Sequence, residues 1–283
     1  AMVRWWNGVS ALLDLTNPES EKWFKEVLNN LITEFGVDGF KLDAGDGRFY
    51  NGLKSLKEVN PNTHTELFAK IGLSYPYNEY RATWKMGGQP LVQRLHDKSH
   101  DWEDLKKLIP HMLLEGIMGY PFSCPDMIGG GQFTSFLDDA PIDQELVVRS
   151  TQVHALMPMM QFSVAPWRIL DKRHFNAVLS AVNLRSKFKE IILTLAKKSS
   201  INGEPIVRSM EYVFPHEGYV DITDQFMLGN NILVTPYLSK GEGSREVILP
   251  KGKWKSDTGK IYKGGKTVTI DVPLTRLPYF IFQ

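Results

Sequence analysis

Only one cysteine, Cys124, occurs in 283 residues. A lone thiol cannot close an internal disulfide, which excludes a disulfide framework and a cysteine-based zinc site and leaves the redox compartment open. No run of roughly 18 apolar residues is present, so no segment reads as a membrane-spanning helix. No basic-then-apolar leader opens the chain, and Ala1 ahead of Met2 reads as an added residue, so that absence carries no message about location. Basic runs of about five or more are also missing. With 33 lysines and arginines against 32 acidic residues, there is no electrostatic case for nucleic acid or an anionic membrane as partner, and a neutral partner fits best. His96, His100 and His154 lack a common metal-ligand spacing, so no metal is expected. Gly129-Gly130-Gly131 lacks the Lys-Ser/Thr of a nucleotide loop and reads as a turn. What the chain does have is an apolar fraction of 42%, enough to bury the core of one large or two ordinary domains.

Thr16-Asn17-Pro18-Glu19 predicts a helix start, with Asn17 as cap, proline at the first helical position and acids in the first turn. Trp23, Phe24, Val27, Leu28, Leu31 and Ile32 then recur at three- and four-residue steps until Gly36 stops the helix. Val37 to Asp43 follows as a short strand, so 12–43 is expected to form a strand, helix, strand crossover. Further strands are expected near 91–97, 120–126, 157–163 and 205–210, with helices near 102–118, 143–155 and 175–198. This alternation predicts an α/β fold, a (β/α)8 (TIM) barrel. After about Asp224 the texture changes to short β runs, Ile232-Leu233-Val234, Val247-Ile248-Leu249, Val268-Thr269-Ile270 and Tyr279-Phe280-Ile281, separated by Gly, Lys and Pro. The expected division is therefore a partial barrel over 1–223 and a C-terminal β-sandwich over 224–283. About six barrel strands are found where a closed barrel has eight. The missing ones are expected ahead of residue 1, with either a second copy of the chain covering the open edge or a barrel that closes with fewer elements, and little turnover is expected from these 283 residues as an isolated monomer.

Acidic groups at the carboxyl ends of barrel strands are the first candidates for chemistry. Asp43 and Asp46 occupy that place in Gly39-Phe40-Lys41-Leu42-Asp43-Ala44-Gly45-Asp46. Taken alone, an acid there is about as often a helix cap or a buried acceptor as a catalyst. Asp97 ends a later strand, and by pattern alone it reads sooner as a cap or an ion pair with Lys98. A metal site from Asp38, Asp43 and Asp46 is a further reading, made awkward because the strand pleat sends Asp38 and Asp43 to opposite faces. Trp5, Trp6, Trp84 and Trp167 are read first as packing groups, with Trp5 and Trp6 the better candidates for stacking on a bound ligand.

Several ordered motifs together resemble glycoside hydrolase family 31 over essentially the whole chain. They are Leu12-Leu13-Asp14-Leu15-Thr16-Asn17-Pro18, the strand ending in Asp43, Arg81 and Trp102 spaced about Asp97, Gly119-Tyr120-Pro121-Phe122 leading to Asp126, Arg149, Phe214-Pro215, and Asp224-Gln225-Phe226-Met227-Leu228-Gly229. The resemblance implies a retaining α-glycosidase acting on oligosaccharides or glycosides without a cofactor, with Asp43 as nucleophile and Asp97 as general acid/base. It implies sugar-pocket roles for Arg81, Lys41, Trp6, Arg94, Lys98, Asp126 and Arg149, with Asp126 orienting an arginine. Two departures stand out. Arg94-Leu95-His96-Asp97-Lys98 replaces the Trp-x-Gly-Asp of the family's α-glucosidases, and Ser163 stands where they carry a sugar-contacting histidine. The form is similar to the branch of the myogenesis-regulating glycosidase, which implies α-galactosidase rather than α-glucosidase activity. The alternative is a non-catalytic, carbohydrate-binding remnant of such an enzyme.

Overall fold

The structure, a computed structural model, describes residues 2–5, 8–130 and 142–283. The chain divides into two compact units, Ala1–Arg94 and Leu95–Gln283.

The first unit opens with an antiparallel pair, β1 (Met2–Trp5) and β2 (Gly8–Ala11), in the register Met2 to Ala11. Helix α1 (Pro18–Phe35) begins as the sequence predicts: the Asn17 side chain accepts a hydrogen bond from the Glu19 N–H at 3.0 Å. It ends at Gly36, whose left-handed φ of 64° lets its N–H reach the Ile32 carbonyl at 2.9 Å. Strand β3 (Gly39–Leu42), a 3-10 turn (Gly47–Tyr50), helix α2 (Pro61–Gly72) and strands β4 (Tyr77–Tyr80) and β5 (Val92–Arg94) follow. β3, β4 and β5 are neighbours in one parallel sheet, with Gly39 beside Tyr77, Leu42 beside Tyr80 and Tyr80 beside Gln93. Leu15, Leu28, Ile71 and Tyr75 form the core beneath it, joined by the half-buried Phe24, Phe40 and Phe68.

One expectation is corrected here. The strand expected ahead of α1 is absent from the parallel sheet; the extended residues lie earlier, at Gly8–Ala11, and pair antiparallel with β1. Asp14 explains why residues 12–17 turn rather than run straight. Its carboxylate accepts from the Thr16 N–H (3.0 Å) and hydroxyl (2.6 Å) and from the Leu56 N–H (2.6 Å), which bends the chain into the helix cap. The apolar face of α1 is also only partly covered. Leu28 is buried, whereas Trp23 is 53% and Phe35 70% exposed.

Gly39 fixes how closely β3 and β4 approach. A Cβ there would lie 2.1 Å from the Tyr77 carbonyl oxygen, a backbone atom that cannot swing aside. Gly39→Ala is expected to destabilise the protein by about 1–3 kcal/mol through overpacking, read as a lower denaturant midpoint at unchanged slope. An unshifted midpoint would show that the two strands are not held at this spacing.

The second unit contains α3 (Trp102–Ile117), β6 (Ser123–Cys124), β7 (Met127–Ile128), α4 (Gln144–Ala155), β8 (Gln161–Phe162), α5 (Pro166–Ile169), α6 (Lys172–Asn202), β9 (Val207–Arg208) and α7 (Met210–Val213). β7 and β8 pair parallel, Met127 beside Gln161. The three long helices lie within three residues of the expected spans at their starts and four at their ends, while the strands between them shrink to two residues each. Their core includes Leu105, Ile109, Met112, Val153, Phe188 and Phe226.

The C-terminal part adds β10 (Phe226–Leu228), β11 (Ile232–Val234), β12 (Gly243–Leu249), β13 (Lys253–Ser256), β14 (Ile261–Lys263), β15 (Lys266–Val272) and β16 (Tyr279–Phe282). Six strands form one sheet in the order β14-β13-β16-β11-β10-β9, and β12 pairs with β15. Met227, Leu233, Trp254 and Phe280 of the larger sheet meet Val247, Leu249, Ile270 and Val272 in one buried cluster, the core of a β-sandwich. The Trp254 indole is buried yet satisfied, donating to the Pro250 carbonyl at 2.8 Å. Val207–Arg208, expected as a barrel strand, instead pairs antiparallel with β10 at the edge of this sheet. Among the described residues, no helix is long and apolar enough to cross a membrane.

Candidate active site

In the first unit the ends of three neighbouring strands bring charged groups together. Asp43 follows directly on β3, Arg81 on β4, and Arg94 is the last residue of β5. The Asp43 carboxylate Oδ1 lies 3.4 Å from Arg81 Nε and 3.3 Å from Arg94 Nη2. The two arginine side chains are 9% and 3% exposed, but Asp43 is 49% exposed, so both cations reach it from below and leave it open above. Arg81 Nη2 also donates to Asp46 at 2.8 Å. Gln93 links the layer, its amide donating to the Arg81 carbonyl at 2.9 Å and accepting from the Thr83 hydroxyl at 2.7 Å.

The turn after Asp43 is tight. Ala44 and Gly45 both adopt left-handed φ angles, 63° and 78°, and a side chain at 45 would strike the Phe68 ring at 2.5 Å. A non-glycine residue in that region carries strain, which is found most often where a side chain must be aimed. Asp43 borders a cavity of about 140 Å³ whose other walls include Trp5, Leu13, Phe24, Tyr50 and Phe68. Trp5 packs on Phe49 with ring centroids 4.6 Å apart. Trp6 lies outside the described residues. Lys41 is half exposed and pairs with the buried Glu79 of β4 at 3.0 Å.

The second unit holds Asp97, in the loop that leads to α3. That loop is fastened at its carboxyl side. The Lys98 N–H donates to Asp126 Oδ2 at 2.9 Å, and the Ser99 N–H to Asp104 Oδ2 at 2.7 Å. Asp126, fully buried and with a φ of 69°, thus serves the loop after Asp97. Lys98 is 4% exposed, and its ammonium lies 3.0 Å from His111 Nδ1. Burial pushes the Lys98 ammonium down from its ordinary range, and the carboxylates of Asp104, Asp126 and Glu115 oppose that shift. The Glu115 carboxyl is in turn pushed up to about 8 by burial, against the pull of Lys98. Sequence reading missed Glu115 and His111; their spacing of four along α3 puts them on one face, the only signal available.

Arg149 has no exposed surface, and its guanidinium reaches Gln152 Oε1 (3.1 Å) and the carbonyls of Gly241 (3.3 Å), Val272 (3.4 Å) and Pro273 (3.5 Å). It ties α4 to the sandwich. Ser163, where a histidine was expected in α-glucosidases, donates its hydroxyl to the Gly130 carbonyl. His154 is held neutral: burial pushes it down to about 4, and Nδ1 bonds the Ser150 carbonyl at 2.7 Å. Among the described residues, no group of three or more His, Cys, Asp or Glu side chains is arranged to hold a metal ion.

With this geometry in place, comparison with known proteins is decisive for the family. Residues 1–195 match the family model described as glycosyl hydrolases family 31 TIM-barrel domain, and residues 203–283 match the glycosyl hydrolase family 31 C-terminal domain. The chain belongs to glycoside hydrolase family 31. Its family 31 relatives include the myogenesis-regulating glycosidase of Mus musculus, 34% identical over 99% of this chain and 41% of that protein. The SITS-binding protein of Tetronarce californica is 28% identical over all of this chain and 42% of its own length. The chain thus spans about two-fifths of the curated relatives it matches. Among solved structures, a family 31 sulfoquinovosidase from E. rectale superposes with a TM-score of 0.88 at 21% identity, covering all of this chain and 45% of that one, which establishes a shared fold. The family 31 barrel domain followed by a β-sandwich is therefore the architecture of this chain.

Proposed function

We propose that the chain carries the reacting carboxylates of a retaining α-glycosidase, with Asp43 as nucleophile and Asp97 as general acid/base. The observation that carries the reading is the Asp43 carboxylate itself, half open at a strand end and fixed by two buried guanidiniums at 3.3 and 3.4 Å. A group that must attack a single carbon needs its oxygens held in one orientation; the Arg94 guanidinium donates to Oδ1 and the Arg81 guanidinium lies in ion-pair range of the same oxygen. Membership of a glycosidase family and the resemblance of the Asp97 motif support the second assignment.

In the proposed reaction Asp97 gives its proton to the departing glycosidic oxygen while Asp43 attacks the anomeric carbon, forming a glycosyl ester and releasing the aglycone alcohol. Asp97, now a carboxylate, takes a proton from a water molecule that attacks the same carbon and frees Asp43. Two displacements at one carbon give net retention. Following the anomeric protons of the first-formed product by NMR tests this; an inverted product would overturn it.

The finer reading is a preference for α-galactosides over α-glucosides. It rests on Arg94, which puts a guanidinium beside the nucleophile where the family's α-glucosidases carry an indole, and on Ser163 in place of a histidine. Paired aryl α-galactoside and α-glucoside assays are expected to favour the galactoside by at least about tenfold, the discrimination typical of one altered contact. A clear glucoside preference would remove the sub-assignment without touching the mechanism.

A further inference from the structure

Lys98 follows the proposed general acid directly in sequence, and three hydrogen bonds and one close backbone approach hold the chain at and just after it. The Lys98 N–H is held by Asp126 Oδ2 at 2.9 Å. The next N–H, of Ser99, is held by Asp104 Oδ2 at 2.7 Å. The Lys98 carbonyl is crowded by Gly130, where a Cβ would come within 2.8 Å of its oxygen. The side chain is plugged downward onto α3, its ammonium 3.0 Å from His111 Nδ1.

That last contact has chemical content. An ammonium carries donors only, so with Lys98 charged His111 Nδ1 is the acceptor and the ring is neutral, with its proton on Nε2. Burial and the Lys98 charge both push the His111 ring down from its ordinary range, which agrees with a neutral ring. One helical turn further on, Glu115 Oε2 is sealed from solvent and has no hydrogen-bond partner among the described residues. Burying an ammonium costs several kcal/mol unless it is paired. A methionine or leucine would fill the same space at lower cost, so the cation calls for a reason beyond packing.

We propose that Lys98, seated on His111 beside Glu115, is the positioning residue of the general acid: it clamps the loop so that the Asp97 carboxyl stays aimed at the departing oxygen. The proposal rests on the reading of Asp97 as acid/base. The loop has no strand pairing of its own over 96–99, so its shape comes from these side-chain ties. Asp97 cannot rotate about its own carbonyl bond without breaking the Lys98 N–H contact to Asp126, and the plugged side chain keeps that N–H in place. A displacement of about 1 Å in a proton donor costs on the order of 100-fold in rate.

The test compares Lys98→Met, His111→Leu and Asp97→Asn in the natural gene product, on two substrates. One is a glycoside with a poorly departing alkyl alcohol; the other is the α-galactosyl or α-glucosyl fluoride, whichever the unmodified protein cleaves, whose leaving group needs little protonation. Lys98→Met is expected to lose roughly 10- to 100-fold in kcat on the alkyl glycoside and less than about threefold on the fluoride. His111→Leu, which removes the acceptor and leaves the loop sequence intact, is expected to show the same split and stands in if Lys98→Met does not fold. A merely structural role would depress both substrates alike. If Asp97→Asn shows the split and the other two variants do not, the positioning role is wrong and the acid assignment stands. If Asp97→Asn itself loses equally on both, or the unmodified protein cleaves neither fluoride, the acid assignment fails and the proposal fails with it.

Discussion

Asp43→Asn is expected to lower turnover by at least about 10³-fold, because an amide cannot form the glycosyl ester on which the two-step route depends. The substitution keeps the shape of the side chain and removes its charge, so geometry is a small part of the effect. A second consequence concerns stability. Arg94 would lose its 3.3 Å contact with a carboxylate while remaining 3% exposed, whereas Arg81 would keep Asp46 at 2.8 Å. The amide oxygen can still accept from Arg94, but the attraction between opposite charges is lost, so the variant should also melt somewhat earlier. Replacing Asp43 by glycine and adding azide should restore part of the activity, with the azide ending on the sugar. Turnover within tenfold of the unmodified protein for Asp43→Asn, without azide, would end the nucleophile assignment.

Asp97→Asn should separate substrates by their leaving groups. General acid catalysis contributes about 10²–10⁴-fold, and the whole of it is expected to vanish on an alkyl glycoside. Aryl glycosides and glycosyl fluorides depart without help, so their first step should fall far less. The second step, in which Asp97 acts as base, then becomes limiting, and the intermediate on Asp43 should accumulate as a burst followed by slow turnover. Equal losses on all substrates with no burst would count against both roles of Asp97.

How much of this was legible in the sequence differs by element, for physical reasons. α1 was readable at both ends because Asn17, Pro18 and Gly36 each have a local mechanism. α2 carries the same signal, with Asn60 accepting from Thr63 at 3.1 Å and Pro61 opening the helix, but the polar run Asn62 to Glu66 hid its periodicity. β4 was missed altogether. Its sequence Tyr77-Asn78-Glu79-Tyr80 has no apolar alternation, and its two polar residues are buried by tertiary partners: Asn78 donates to the Tyr75 carbonyl at 2.9 Å and Glu79 meets Lys41 at 3.0 Å. Strand propensity is a statement about surroundings, and those came from three and 38 residues away.

The site divides in the same way. Asp43 was legible because a strand end followed by Ala44-Gly45 is a local event. Its contacts with Arg81 and Arg94 depend on β3, β4 and β5 lying side by side, and no local pattern fixes those distances. The burial of Lys98 and Arg149 was not legible for one shared reason: long cationic side chains are ordinarily at the surface, and only the three-dimensional fold reveals the oxygens and ring nitrogen that receive them.

Arg149 also decides how the second unit comes apart. Its partners across the sandwich are main-chain oxygens at 241, 272 and 273, and its neighbour Gln152 reaches a fourth at Leu274 (2.7 Å). Main-chain acceptors survive substitution of the residues that bear them, so this link is indifferent to what side chains those positions carry. Opening the sandwich away from α4 would strand a buried cation, a cost that local fraying does not normally meet. The helical layer and the sandwich are therefore expected to open as one cooperative unit, with amides of β15 and of α4 exchanging through a shared event in hydrogen exchange rather than the C-terminal sheet detaching first.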